Sequence, residues 1–177
     1  MRFTLTIALT AAALLTACGK SSEPAASTST PAPAHSTQPT WLLASAPEGA
    51  RPVAEIKKSA AEGDMVVMQA KVGGRVEPIT KGVAVFVVMD PAIPSCDQIP
   101  GDTCGTPWDY CCEPKESMTA NSATVQVVDA SGKPMAIDLE SQGLKPLQVV
   151  TIVGKVAPRP NDAVLIIQAT GIHIATN

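Results

Sequence analysis

The spacing of apolar positions changes character several times along the chain, and each change predicts a different kind of segment. From Phe3 to Leu15 the residues are almost unbrokenly apolar, whereas from Gly19 to about Thr40 they are mainly Ser, Thr, Pro and Ala. Within 53–62, after Pro52, Val53, Ile56 and Ala60 recur at helical spacing, which predicts a short amphipathic helix ended by Gly63-Asp64. Beyond it the period becomes two. A first strand is predicted over 65–72, where Val66, Met68, Ala70 and Val72 alternate with Gln69 and Lys71, and Gly73-Gly74 then permits a bend. The second, 83–89, is apolar on both faces; the third, 123–129, sets Val125 and Val127 against Thr124 and Gln126. After the turn Asp129-Ala130-Ser131-Gly132 comes a brief extended piece, 135–139. Two further β-branched strands, 148–157 and 163–174, are joined by Pro158-Arg159-Pro160-Asn161-Asp162. No internal repeat is visible.

Five strands with a glycine bend after the first resemble the OB-fold, a small Greek-key barrel. Gly63-Asp64-Met65-Val66-Val67 and the run Val149 to Val156 resemble its nucleic-acid-binding type. The expected fold is therefore all-β: a five-stranded OB-type Greek-key barrel, with a short N-terminal helix and a long cysteine-rich loop between second and third strands. The segment between third and fourth strands, Gly143 to Leu147, is too short for the helix often found there. An immunoglobulin-like sandwich fits less well, since about seven strands would be expected.

The N-terminus reads as an address. Met1-Arg2, the apolar run and Leu15-Thr16-Ala17-Cys18 resemble the signal and lipobox of a bacterial lipoprotein. The resemblance implies a signal peptide over 1–17, removed at Cys18, which would carry the lipid. Residues 18–40 would then be a lipidated, disordered tether and 41–177 the folded domain. A coil of that length spans roughly 25 Å, enough to lift a domain clear of lipid headgroups. Gly19 after the cysteine implies, by the same resemblance, the periplasmic face of an outer membrane over the inner one if the cell is Gram-negative. His35 lies in the tether and is read as solvated.

Removing residues 1–17 takes away Arg2 and no acidic group, leaving twelve basic against sixteen acidic residues. That balance offers no long-range attraction for nucleic acid. Single-strand binders also need aromatic platforms, and the only aromatic within the predicted strands is Phe86. Nucleic acid is therefore excluded as a partner.

The chemistry of interest lies in the insertion Asp90 to Asn121, long enough to need a reason for its length. It holds Cys96, Cys104, Cys111 and Cys112 together with Trp108, Asp109 and Tyr110. Two disulfides of unknown pairing are the first expectation for an exported protein, Cys111 and Cys112 each reaching back to Cys96 or Cys104. A bound zinc or other thiophilic metal on the same four thiols is the alternative, although C-x2-C knuckles are absent. A redox catalyst ranks third, for want of C-x-x-C. Trp108, Asp109 and Tyr110 are candidate ligand-contact or lid residues, expected to cover an apolar outer face of the second strand around Ala84, Phe86 and Val88. Calcium on Asp97, Asp102, Asp109, Glu113 and Glu116 lacks EF-hand spacing, and His173 is read as a lone strand histidine. The run Pro107 to Glu113, P-W-D-Y-C-C-E, resembles a motif of bacterial lipoproteins with OB-like shape; the likeness spans about 60–175 and implies no particular activity.

No G-x-S-x-G, H-E-x-x-H or phosphate loop is present, so no enzyme is expected and no cofactor is required. The expected function is a non-enzymatic binding or structural module, anchored to the membrane through Cys18. Its partner would be an envelope protein, a glycan or a small ligand. A metal- or redox-handling lipoprotein is the alternative.

Overall fold

The computed structural model describes residues 39–175. The expectations for the signal at 1–17, the lipid on Cys18 and the tether with His35 lie outside the described residues.

Alternation does most of the work. In β2 (Met65–Val72) Val66, Met68, Ala70 and Val72 are buried, while in β4 (Ser122–Val127) Ala123, Val125 and Val127 point the same way. With β3 (Val85–Met89), β5 (Val149–Val156) and β6 (Ile166–Ile174) they form a sheet in the order β2-β3-β4-β6-β5, and β5 pairs back onto β2. That closing ladder runs from Met65↔Lys155 to Lys71↔Val149. One pair, β4 with β6, is parallel; the other barrel pairs are antiparallel. This is the OB-type Greek-key barrel, closed so that its strands leave no long free edge. The sheet turns its corner at a bulge between Val153 and Gly154. A Cβ on Gly154 would lie 2.5 Å from the Gln168 carbonyl oxygen, so only glycine fits there.

The helix α1 (Val53–Ser59) plugs one end, with Val53, Ile56 and the following Ala60 buried as expected. It ends at Ser59, earlier than the predicted 62, because Ala60 is extended and the Ala61 amide bonds to Asp64 Oδ2 at 2.9 Å. A two-residue strand that the pattern did not reveal, β1 (Arg51–Pro52), runs parallel to β2 just before the helix. Its proline sits where an edge strand tolerates one. Trp41 is buried, and its carbonyl accepts the Ile172 amide at 2.7 Å.

The piece 135–139 is not a strand. An isolated bridge, Val128↔Pro134, just precedes it; within it the Met135 amide donates to the Val127 carbonyl and the Met135 carbonyl accepts the Ala84 amide. Proline at 134 removes a ladder donor and stops the pairing from propagating. The connection before β5 is built of turns around buried Leu139 and Leu144, without a helix.

Candidate functional site

The insertion between β3 and β4 is folded, not extended, and two local signals explain how. Ser95-Cys96-Asp97-Gln98 has a capping-box pattern, and the Ser95 amide donates to Gln98 Oε1 at 3.1 Å, opening a 3-10 turn at Cys96–Gln98. Later, Pro114 starts α2 (Lys115–Ala120), a six-residue helix too short to leave a periodic trace. At the root of the insertion Asp90 is buried; its Oδ2 accepts the Ala54 amide at 2.9 Å and ties the loop to the start of α1.

Aromatic residues fix the middle of the loop. Tyr110 is fully buried, at φ 60°, and a Cβ on Gly73 would lie 2.9 Å from its ring and 2.6 Å from the Trp108 carbonyl. Trp108 is half-buried; its indole N–H donates to the Val76 carbonyl at 2.9 Å, and its carbonyl accepts the Gly74 amide at 2.7 Å. The loop therefore docks on the Gly73-Gly74 bend. The expected cover over Ala84, Phe86 and Val88 is corrected: those three face inward and belong to the core. Their parity is set by the pairing of β3 with β4, which opposes Phe86 to Val125.

This docking gathers the thiols. Cys96 is buried, Cys104 half-buried, and Cys111 and Cys112 exposed. Cys111 Sγ lies 3.7 Å from Cys104 Sγ, 3.8 Å from Cys96 Sγ and 4.0 Å from Cys112 Sγ. All four cysteines are unbonded, so neither expected disulfide is present. Asp109 completes one group: a carboxylate oxygen and the sulfurs of Cys96, Cys104 and Cys111 all lie within 4.8 Å of one another. Cys112 belongs to a second group with Cys96 and Asp102, whose Oδ2 is 3.3 Å from its sulfur. Spacing along the chain gave no hint of this division, which depends on the turns at Tyr110 and Cys96.

Asp109 is held by the Thr106 hydroxyl at 2.8 Å and the Cys111 amide at 2.9 Å. Burial works against its ionisation, but these bonds outweigh it and keep the carboxyl below the usual range. Among the thiols, the bond from the Thr106 amide lowers Cys104, and the bonds with Cys104 and Cys96 raise Cys111. The two neighbouring thiols are thus shifted in opposite directions.

Of the other candidates, Asp97, Glu113 and Glu116 lie outside both thiol groups, and His173 is half-buried on β6 opposite Thr151, also outside them. Lys71, which the sequence reading passed over, reaches the loop from β2: it is buried and donates to Gln98 Oε1 at 2.9 Å. Among the described residues, no helix is long and apolar enough to cross a membrane.

No family model matches the chain, and no curated protein matches it. Among solved structures, the hypothetical protein ygiW from E. coli is similar at 15% identity, with 73% of this chain and 94% of that chain covered and a TM-score of 0.36. The fold assignment rests on the strand order and register described above.

Proposed function

We propose that the chain is a non-enzymatic cell-envelope lipoprotein, anchored through Cys18, whose cysteine loop holds a thiophilic metal ion on Cys96, Cys104, Cys111 and Asp109. The observation that carries the metal reading is the sulfur spacing. Cys104 and Cys111 are separated by 3.7 Å and Cys96 and Cys111 by 3.8 Å. An edge of a tetrahedron around zinc, with metal–sulfur bonds of about 2.3 Å, is about 3.8 Å. A disulfide would need about 2.05 Å. Three thiolates and a carboxylate form a donor set that suits zinc, and soft ligands of this kind also suit copper(I). The exposed Cys111 leaves the ion open to exchange with solution.

Metal content and reactive thiols of the purified full chain, prepared without chelator, test this directly. About one equivalent of zinc or copper, with thiols that alkylate only after chelation, is the expected result. An absence of both metal and reactive thiols would replace the ion with disulfides. Equal metal content in Cys96→Ser and Cys111→Ser chains would remove the site from these residues. Anchoring has its own test: Cys18→Ala should leave unprocessed precursor without fatty-acid label, and label on that variant would overturn the anchor.

A further inference from the structure

A second site lies away from the cysteines. Lys57 on α1 is only 8% exposed, yet its ammonium donates solely to the carbonyls of Thr119 and, at 2.8 Å, Ser122. Beside it, Arg159 is pinned by four acceptors: Nη1 bonds to the carbonyls of Lys57 and Ala60, Nε to Val164 and Nη2 to Asp162. Among the described residues, neither cation has a carboxylate within ion-pair distance; the ion pair found there is Arg51–Glu55. Buried charge is ordinarily paired, so the buried Lys57 beside a half-buried Arg159, neither with a carboxylate partner, is an unusual arrangement. Burial, and after it the charge on Arg159, hold the Lys57 pKa below its usual value.

Both cations line a groove of about 760 Å³ between α1, α2 and the β5–β6 loop. Lys58 and Lys115 stand on its rim, with Glu116 and Asp162 as the acids, so four positive groups meet two negative ones. The wall between them is small and apolar, from Ala60, Ala120 and Ala163. An adjoining hollow of about 280 Å³ shares Lys57 and Ala163 and adds Arg75. The local charge is opposite to that of the chain as a whole, which is −3. A volume of this kind is typical of small-ligand sites.

We propose that this groove binds a phosphate-bearing small ligand, the phosphate seated between Lys57 and Arg159 with Lys58 and Lys115 closing on it. The fixed pair supplies position and the exposed pair supplies attraction. The phosphate belongs either to a soluble ester or to a lipid headgroup. The proposal does not depend on the metal reading.

Titration of the full chain with glycerol 3-phosphate, and separately with short-chain phosphatidylglycerol below its micelle concentration, tests it. Saturable binding that weakens with salt is expected for at least one probe. Lys58→Glu with Lys115→Glu, both exposed residues, should weaken it by about tenfold or more, which is about 1.4 kcal/mol. Binding of similar strength to both probes identifies a soluble ester. A preference of about tenfold for the lipid identifies a headgroup. Two outcomes overturn the site: no binding of either probe below about 10 mM, or binding unchanged in the double variant while its melting temperature matches the wild type.

Discussion

Lys71 Nζ donates to Gln98 Oε1 at 2.9 Å, joining strand β2 to the turn that carries Cys96. The same ammonium lies 3.3 Å from Ser95 Oγ, and burial holds its pKa below the usual lysine value, with Asp97 acting the other way. A buried ammonium is tolerable only while its hydrogen bonds persist. Replacing it should therefore loosen the loop, Gln98 Oε1 keeping the Ser95 amide but losing its tie to β2. Lys71→Met is expected to cost about 1.5 to 3 kcal/mol in chemical denaturation. It should also speed alkylation of Cys96, the most buried thiol. Unchanged stability and alkylation would mean that Trp108 and Tyr110 dock the loop alone.

The glycines test the docking from the other side. A methyl group on Gly73 would meet the Trp108 carbonyl at 2.6 Å and the Tyr110 ring at 2.9 Å. Gly73→Ala should push the loop outward at a cost of about 1 to 3 kcal/mol, with the barrel's circular dichroism retained. Gly154→Ala, by contrast, strikes the Gln168 carbonyl inside the β5–β6 ladder and should weaken the barrel itself. Equal behaviour of the two variants would argue against a loop that can shift independently.

The barrel was legible in the sequence because its signal is local. Val66, Met68, Ala70 and Val72 advertise their face by alternation alone, and all four are buried. Chain segments whose role is set by distant partners were not legible. Residues 135–139 have a strand-like composition, but Pro134 before them ends the pairing and leaves them only scattered bonds, those of Met135 among them. The cysteines were visible as a cluster, yet the grouping of Cys96, Cys104 and Cys111 with Asp109 depends on Tyr110 at φ 60° and on Lys71 from another strand. The basic groove was hidden for the same reason, since Lys57 and Arg159 are 102 residues apart in the chain and meet only once it is folded.

Lys57 gives a pH dependence whose sign follows from its surroundings. Its pKa is lowered in the folded protein, by burial first and Arg159 second, with Lys58, Lys115, Glu116 and Asp162 also around the groove. An unfolded lysine titrates near its ordinary value of about 10.4. Below the folded pKa both states are protonated, and the cost of burying the charge is fully felt. As pH rises from the folded value to the unfolded one, the folded state sheds its proton first, so this contribution to stability increases. Lys57→Met lacks the effect. Wild type should gain stability relative to the variant as pH rises towards about 10, measured by denaturation at several pH values. A relative loss over that rise would reverse the assigned direction.

Tyr110 offers the cleanest single-atom test. Its ring is fully buried, and among the described residues its hydroxyl is the one buried side-chain polar atom with no hydrogen-bond partner. Ser95 lies close enough to favour the phenolate slightly but outside hydrogen-bond geometry, since the Ser95 hydroxyl donates to Asp97 at 2.6 Å. Burial dominates, and the phenol is pushed up to about 12. An unsatisfied buried hydroxyl costs about 1 to 3 kcal/mol relative to one in water, so deleting it removes a penalty without breaking a bond. Tyr110→Phe should accordingly be neutral or stabilising by up to about 1 kcal/mol. Tyr110→Ala, which empties the space beside Gly73, should cost about 3 to 5 kcal/mol. The two variants separate packing from polarity at one position. A loss above about 1 kcal/mol in the phenylalanine variant would show that the hydroxyl is bonded after all, with Ser95 as its acceptor.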